Sequence, residues 1–309
     1  MKLISYVRDA ATDNIRVGLV VEGGVVDVQD ASRKLGSELS GDMTEILAHG
    51  EKGKVILSKV AESAADGSVE IIAEADITLK AALPKPTTIY LLAANYQSHI
   101  SESGGSAVNK DRITPRPFLK PNSSVIGTLE NIPIPLDSDT LDYEIEIAAV
   151  IGKSGKHITE EAASSYIAGY TVFNDISARS LKISEGRDER NGDWFFDWLL
   201  GKWCDGFSAI GPYLVTADEI GDPRDLEMSL RVNGELRQHS AAGEMIFDVP
   251  EAIAFLSRFV TLQVGDMICM GTPGGVGDTT ATYLKHGDVI EASIERLGTL
   301  TNHVVTEGS

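Results

Sequence analysis

What most restricts the fold of this 309-residue chain is its punctuation: apolar runs are short, and turn signals cut them off before they reach helical length. TIYLLAAN, YEIEIAAVIG, AGYTVFND, LEMSLRVNG, DMICMGTP and DVIEASIERLG each have the length and composition of a β-strand. Asn233-Gly234, inside SLRVNGELRQ, marks a two-residue hairpin, because a type I′ turn needs positive φ at both central positions. Helical signals are fewer. One helix is expected near Thr159, with Glu160 and Glu161 in the first turn, where the macrodipole favours acids. Another is expected after Asp248, which forms a capping box with Glu251. Strands and helices do not alternate regularly, so the expected class is a strand-rich α+β fold and not a βαβ array.

Residues 1–80 read as a small β-rich N-terminal unit. RVGLVVEGG and VVDVQD flank a turn at Gly23-Gly24, and a polar helical piece, MTEILAHGEKGKVILSKVAESA, follows. Pro84 and Pro86 in LPKPTTIY then break any helix, which places a boundary before a larger unit over 84–305. A formal charge of −19 repels phosphate backbones, so no nucleic-acid partner is expected, and an anionic substrate would need a local cation. No run of 18 apolar residues calls for a membrane span. The segment MKLISYVRDAATDN lacks the apolar core of a secretion signal, and the expected location is cytoplasmic. Cys204 and Cys269 have no paired spacing and read as two reduced thiols.

The chemistry concentrates in LDYEIEIAAV. As a strand it turns Tyr143, Ile145 and Ile147 one way and Glu144, Glu146 and Ala148 the other. That acidic face is either solvated or requires a counter-charge, since two carboxylates about 6 Å apart repel by roughly 3 kcal/mol at an effective dielectric of 20. Asp175, at the end of the strand-like YTVFND, adds a third oxygen donor. A set of carboxylates with no Cys or His suits Mg²⁺ or Mn²⁺ better than Zn²⁺. His99 and Glu102, at i and i+3, either meet on a helical turn as an oriented base or are chance surface neighbours. Lys202, between aromatic and aliphatic residues, either snorkels or serves an oxyanion. GTPGGVGD lacks the Lys-Ser/Thr of a P-loop, which speaks against nucleotide binding, but its N–H groups and Thr272 can cradle a carboxylate.

Seven segments in order, NYQSH, PFLKPNSS, DYEIEIAAVIG, YTVFNDISAR, GK with DGFSAIGP, RVNGELRQ and MGTPGGVG, resemble the fumarylacetoacetate hydrolase family. The resemblance implies a mixed β-sandwich roll, a homodimer, and a divalent ion (Mg²⁺ or Mn²⁺, with Ca²⁺ admissible) on Glu144, Glu146 and Asp175. It implies a His99–Glu102 dyad and a catalytic Lys202. Arg179, Lys182 and Thr272 would be substrate contacts, Lys182 standing where many members carry a glutamine that contacts substrate. Other departures are Trp203-Cys204, the charged and aromatic ISEGRDERNGDWFFDW, and AANYQSH without the extra acid ligand of the founding enzymes. The implied reaction is C–C hydrolysis of a 2,4-dioxo acid of the acylpyruvate or fumarylpyruvate type, as in the breakdown of aromatic compounds. Decarboxylation of an oxaloacetate-like acid and isomerisation of a hydroxymuconate-type dienoate are the alternatives. A metal-stabilised protein that only binds dicarboxylates is the distant one.

Overall fold

The YEIEIAAVIG run is not wet on either side. In the computed structural model, which describes residues 1–9, 12, 14–183 and 186–308, the strand Ile145–Ile151 is buried along its whole length. Ser184 and Glu185 of the aromatic and charged segment lie outside the described residues, as do residues 10, 11 and 13. This strand sits inside a mixed sheet. Its neighbours are Ile167–Asp175 on one side and Met267–Cys269 on the other, both antiparallel. Met267–Cys269 pairs in parallel with Ile89–Leu92, which pairs antiparallel with the edge strand Pro117–Lys120. On the other flank Ile167–Asp175 pairs with Ser208–Thr216, and Ser208–Thr216 pairs with the N-terminal strand Lys2–Val7. The first 80 residues therefore extend the same sheet.

Strand periodicity explains the double burial. Ile145, Ile147, Ala149 and Ile151 point into a core shared with the second, five-stranded sheet and the helix Val249–Ser257. Ala148 and Val150 point the opposite way, into a core that includes Leu57 and Val60 of the N-terminal helix Gly50–Ala65. Glu144 and Glu146 share the phase of Ala148 and Val150. Their face is thus walled by packing, and it opens only at the end of the strand where the acids stand. Asp175 has the phase of Phe173, which packs in that same second core.

Local signals read correctly elsewhere. The Gly23-Gly24 and Asn233-Gly234 turns join antiparallel strands, and Asp248 caps its helix reciprocally with Glu251. The polar N-terminal piece splits into helices Met43–Ala48 and Gly50–Ala65, because Gly50 adopts φ +51°. A helix over Asp193–Leu200, which sequence periodicity did not mark, forms in the aromatic segment behind the left-handed Gly192. Among the described residues no helix is long and apolar enough to cross a membrane.

Candidate active site

Glu144 and Asp175 meet across the antiparallel ladder, where the Asp175 N–H donates to the Glu144 carbonyl at 2.8 Å. Glu146 follows two residues on, so all three carboxylates reach one point, with oxygens within 4.8 Å of one another and all three side chains buried. Three cations converge on them. Lys202 Nζ donates to Glu144 Oε2 at 2.7 Å and to Asp175 Oδ2 at 2.6 Å. Lys120 Nζ donates to Asp175 Oδ1 at 2.6 Å and to the carbonyls of Ile176 and Phe207. Arg179 bonds Asp142 through Nε at 2.8 Å and pairs with Glu144 Oε1 at 2.7 Å.

The charges do not balance within the protein. Four buried carboxylates (Asp142, Glu144, Glu146, Asp175) face three buried or nearly buried cations (Lys120, Lys202, Arg179). Glu146 is the acid left over. Among the described residues its Oε2 accepts only the Gly271 N–H, at 2.8 Å. Burial, with Asp175 and Glu144 beside it, pushes its carboxyl well above the usual range. Burial also opposes charge on Glu144, but Lys202, Arg179 and His99 override it and hold that carboxyl low. Burial works against the Lys202 ammonium too, yet Asp175 and Glu144 outweigh it and raise its pKa. A hard dication fits this arrangement. It would satisfy Glu146, and each carboxylate oxygen already bonded to a cation keeps a second lone pair. With a dication the cluster would carry one net positive charge, the sign an anionic substrate needs in an acidic protein.

His99 stands on the short helix Gln97–Glu102, where i,i+3 spacing brings its Nδ1 to 2.9 Å from Glu102 Oε1. A carboxylate only accepts, so Nδ1 carries the hydrogen and Nε2 is left as the basic nitrogen. Glu102 is fixed in turn, its Oε2 accepting the Gly275 N–H at 2.6 Å. The glycine loop thus cradles carboxylates, but they are the protein's own: Gly271 holds Glu146, Gly275 holds Glu102, and Gly277 holds Asp142. A single helical turn, Gly277–Thr280, does open behind it. Gly275 has φ +104°, and a Cβ there would lie 2.2 Å from the Arg237 carbonyl oxygen. Gly275→Ala is therefore expected to cost about 2–4 kcal/mol in a denaturant melt, through φ strain and overpacking. It should lower turnover as well, because it displaces the anchor of Glu102.

A cavity of about 220 Å³ joins these parts, lined by His99, Glu144, Glu146, Asp175, Arg179, Lys202 and Thr272, with Phe118 and Trp198 as its aromatic wall. Thr272 Oγ1 accepts from Gln238 at 2.8 Å, which leaves its own hydrogen for a guest. Phe118 and Trp198 face Lys202 Nζ at 5.6 and 5.8 Å from their ring centres, so Trp198 is the one aromatic of its segment that this wall takes up. Lys182 is not brought in; it is exposed and paired with Asp139 at 2.6 Å. Trp203 lies outside as well, donating to the Leu119 carbonyl. In AANYQSH, Asn95 ties the Met270 and Phe247 carbonyls together instead of offering an acid. Burial drives the Cys269 thiol well above its usual range, so it is inert. A larger cavity, about 990 Å³, lies between the N-terminal helices and the far end of the sheet and contains none of these groups.

Sequence reasoning gave no role to Lys120, Asp142 or Gln238. The signal for Lys120 was present: in PFLK it shares a strand face with Phe118, so one apolar face ends in a cation.

The sequence pattern of the fumarylacetoacetate (FAA) hydrolase C-terminal family matches residues 88–305. The chain is 38% identical to the mitochondrial oxaloacetate tautomerase Fahd2a of Rattus norvegicus over 92% of its own length and 85% of that protein's. It superposes on a putative HpcE protein from Mycobacterium smegmatis with a TM-score of 0.77 at 32% identity, covering 99% of this chain and all of the other. A maleylpyruvate hydrolase from Sphingobium sp. SYK-6, in complex with manganese(II) ion and pyruvate, superposes with a TM-score of 0.75 at 26% identity, covering 99% of each chain. By its sequence, its sheet topology and its cluster of buried acids, this chain belongs to the fumarylacetoacetate hydrolase family.

Proposed function

We propose that this protein interconverts the keto and enol forms of a small 2-oxo acid of the oxaloacetate type, using a divalent ion held by Glu144, Glu146 and Asp175. One observation carries the reading: a single cavity of about 220 Å³ contains an oriented base, His99, and an acid cluster that is one counter-charge short. Tautomerisation needs no more than a proton carrier and a centre that tolerates enolate charge. Kinship to an oxaloacetate tautomerase across nearly the whole chain supports the same choice. A bound Mg²⁺ or Mn²⁺ supplies Lewis acidity toward the 2-oxo group and its carboxylate.

His99 Nε2 takes a proton from the carbon beside the keto group. The C–H bond pair becomes the C=C bond, and the keto oxygen gains the charge. Glu102 stabilises the imidazolium that forms. Two of the three Lys202 N–H bonds are spent on Glu144 and Asp175, and the third meets the charged oxygen. Arg179 and Thr272 line the same cavity and hold the substrate's polar groups. Protonation of the oxygen by His99 completes the enol.

C–C hydrolysis of an acylpyruvate is the second reading. It is favoured by the same dyad, which can draw a proton from water, and by the likeness to a maleylpyruvate hydrolase. Ultraviolet loss of the enol band, with Mn²⁺ present, separates the two. Oxaloacetate should equilibrate much faster than in buffer with Mn²⁺ alone, and acylpyruvates should survive. Cleavage of acylpyruvates without effect on oxaloacetate would transfer the assignment to hydrolysis.

A further inference from the structure

The edge strand of the five-stranded sheet, Glu235–Ala241, sends one side chain across to the acid cluster. Its register against Glu227–Val232 slips at that point. Leu230 pairs with Gln238 and Arg231 with Leu236, so Arg237 is the extra residue of a β-bulge. Strict alternation would give Leu236 and Gln238 one face. The bulge separates them, leaving Leu236 exposed and Gln238 buried. Gly275 permits the close approach, since a Cβ there would lie 3.3 Å from Gln238 Cα.

The Gln238 amide is fully committed. Ile145 N–H can only donate, so the atom that meets it at 3.0 Å is Oε1. Nε2 therefore faces the glycine loop, where it donates to Thr272 Oγ1 at 2.8 Å and to the Pro273 carbonyl at 2.9 Å, using both hydrogens. Ile145 lies between Glu144 and Glu146, and Gly271, next to Thr272, holds Glu146 through its N–H. One side chain from the second sheet thus braces the strand that carries the acids against the loop that carries Thr272. It also sets the polarity of the threonine. An oxygen that accepts from Nε2 keeps its own hydrogen for another acceptor, and Thr272 lines the cavity at the acid cluster. Without the amide the hydroxyl would be free to turn and to accept instead.

We propose that Gln238 is a positioning residue that acts through Thr272, holding its hydroxyl as an obligate donor toward an oxygen of the bound acid. The proposal rests on the proposed function only in taking the guest to be a 2-oxo acid. A double-mutant cycle tests it, read by calorimetric titration of the Mn²⁺-loaded protein with pyruvate. Thr272→Val should weaken pyruvate by about tenfold or more, the usual loss for a hydrogen bond to a charged group. Its Mn²⁺ affinity should not change, because threonine is not one of the three proposed ligands. Thr272→Ser keeps the hydroxyl and should bind pyruvate like wild type. Gln238→Met should lose about as much as Thr272→Val, yet add less than about twofold when the two are combined. Losses that multiply in the double variant, or a Gln238→Met protein that binds pyruvate like wild type, overturn the role and leave the proposed function standing. If Gln238→Met does not fold for want of an acceptor at Ile145 N–H, Gln238→Glu restores that acceptor but cannot donate to both Thr272 and Pro273. It should weaken pyruvate beside Thr272 and not beside Thr272→Val, and any other pattern overturns the role. Loaded wild type that binds no pyruvate overturns both.

Discussion

Replacing His99 with alanine is expected to lower kcat by about 10²–10⁴-fold, the usual contribution of a positioned general base. Manganese affinity should not change, because the imidazole is not one of the three proposed ligands. Glu102→Gln should also lose turnover, for a different reason. A glutamine amide can donate to Nδ1, which favours the tautomer with its hydrogen on Nε2 and blocks the acceptor that proton abstraction requires. Full activity in His99→Ala with metal bound would remove the dyad from the chemistry.

Chelation is the second large effect. On the proposed chemistry it should reduce turnover by about 10³-fold, in line with the several kcal/mol a Lewis acid supplies. It should also uncover a pH dependence set by Glu146. The folded carboxyl is raised above the ordinary 4.5, so in the metal-free protein the native state holds a proton that the unfolded chain has lost. Stability then falls as pH rises from the unfolded value through the folded one, the reverse of an ordinary paired carboxylate. Mn²⁺ at about a hundred times its Kd should return about 2.7 kcal/mol, and at one fixed Mn²⁺ concentration the gain in melting temperature should grow as pH rises, because less of Glu146 holds a proton that the ion must displace. Chelated protein that grows more stable across this window would contradict the assignment of Glu146 as the unbalanced acid.

Much of this was legible in sequence because it depends on period and local chemistry. Alternation in YEIEIAAVIG placed both glutamates on one face, and i,i+3 spacing joined His99 to Glu102. What sequence did not reveal is what covers that face. Ala148 and Val150 belong to a core assembled from strands and helices far apart in the chain, and no local pattern encodes the dryness of the face that they share with the acids. Lys120 and Asp142 were missed for a related reason. Each acts through a partner far along the chain, Lys120 with Asp175 and Asp142 with Gly277. Lys182 illustrates the converse. Three residues beyond Arg179 it still lies in the right segment, but the chain has turned outward there and hands its ammonium to Asp139.

The core that Leu57 and Val60 share with Ala148 and Val150 makes the opening helices a backing plate for the reactive centre. Transplanting the catalytic half without that plate would turn a dry wall into a wet one, and the carboxyl groups would hydrate before they could grip an ion. Sequence drift among those remote helices would therefore be felt in the proposed grip on metal, although none of their described residues lines the cavity at the acid cluster.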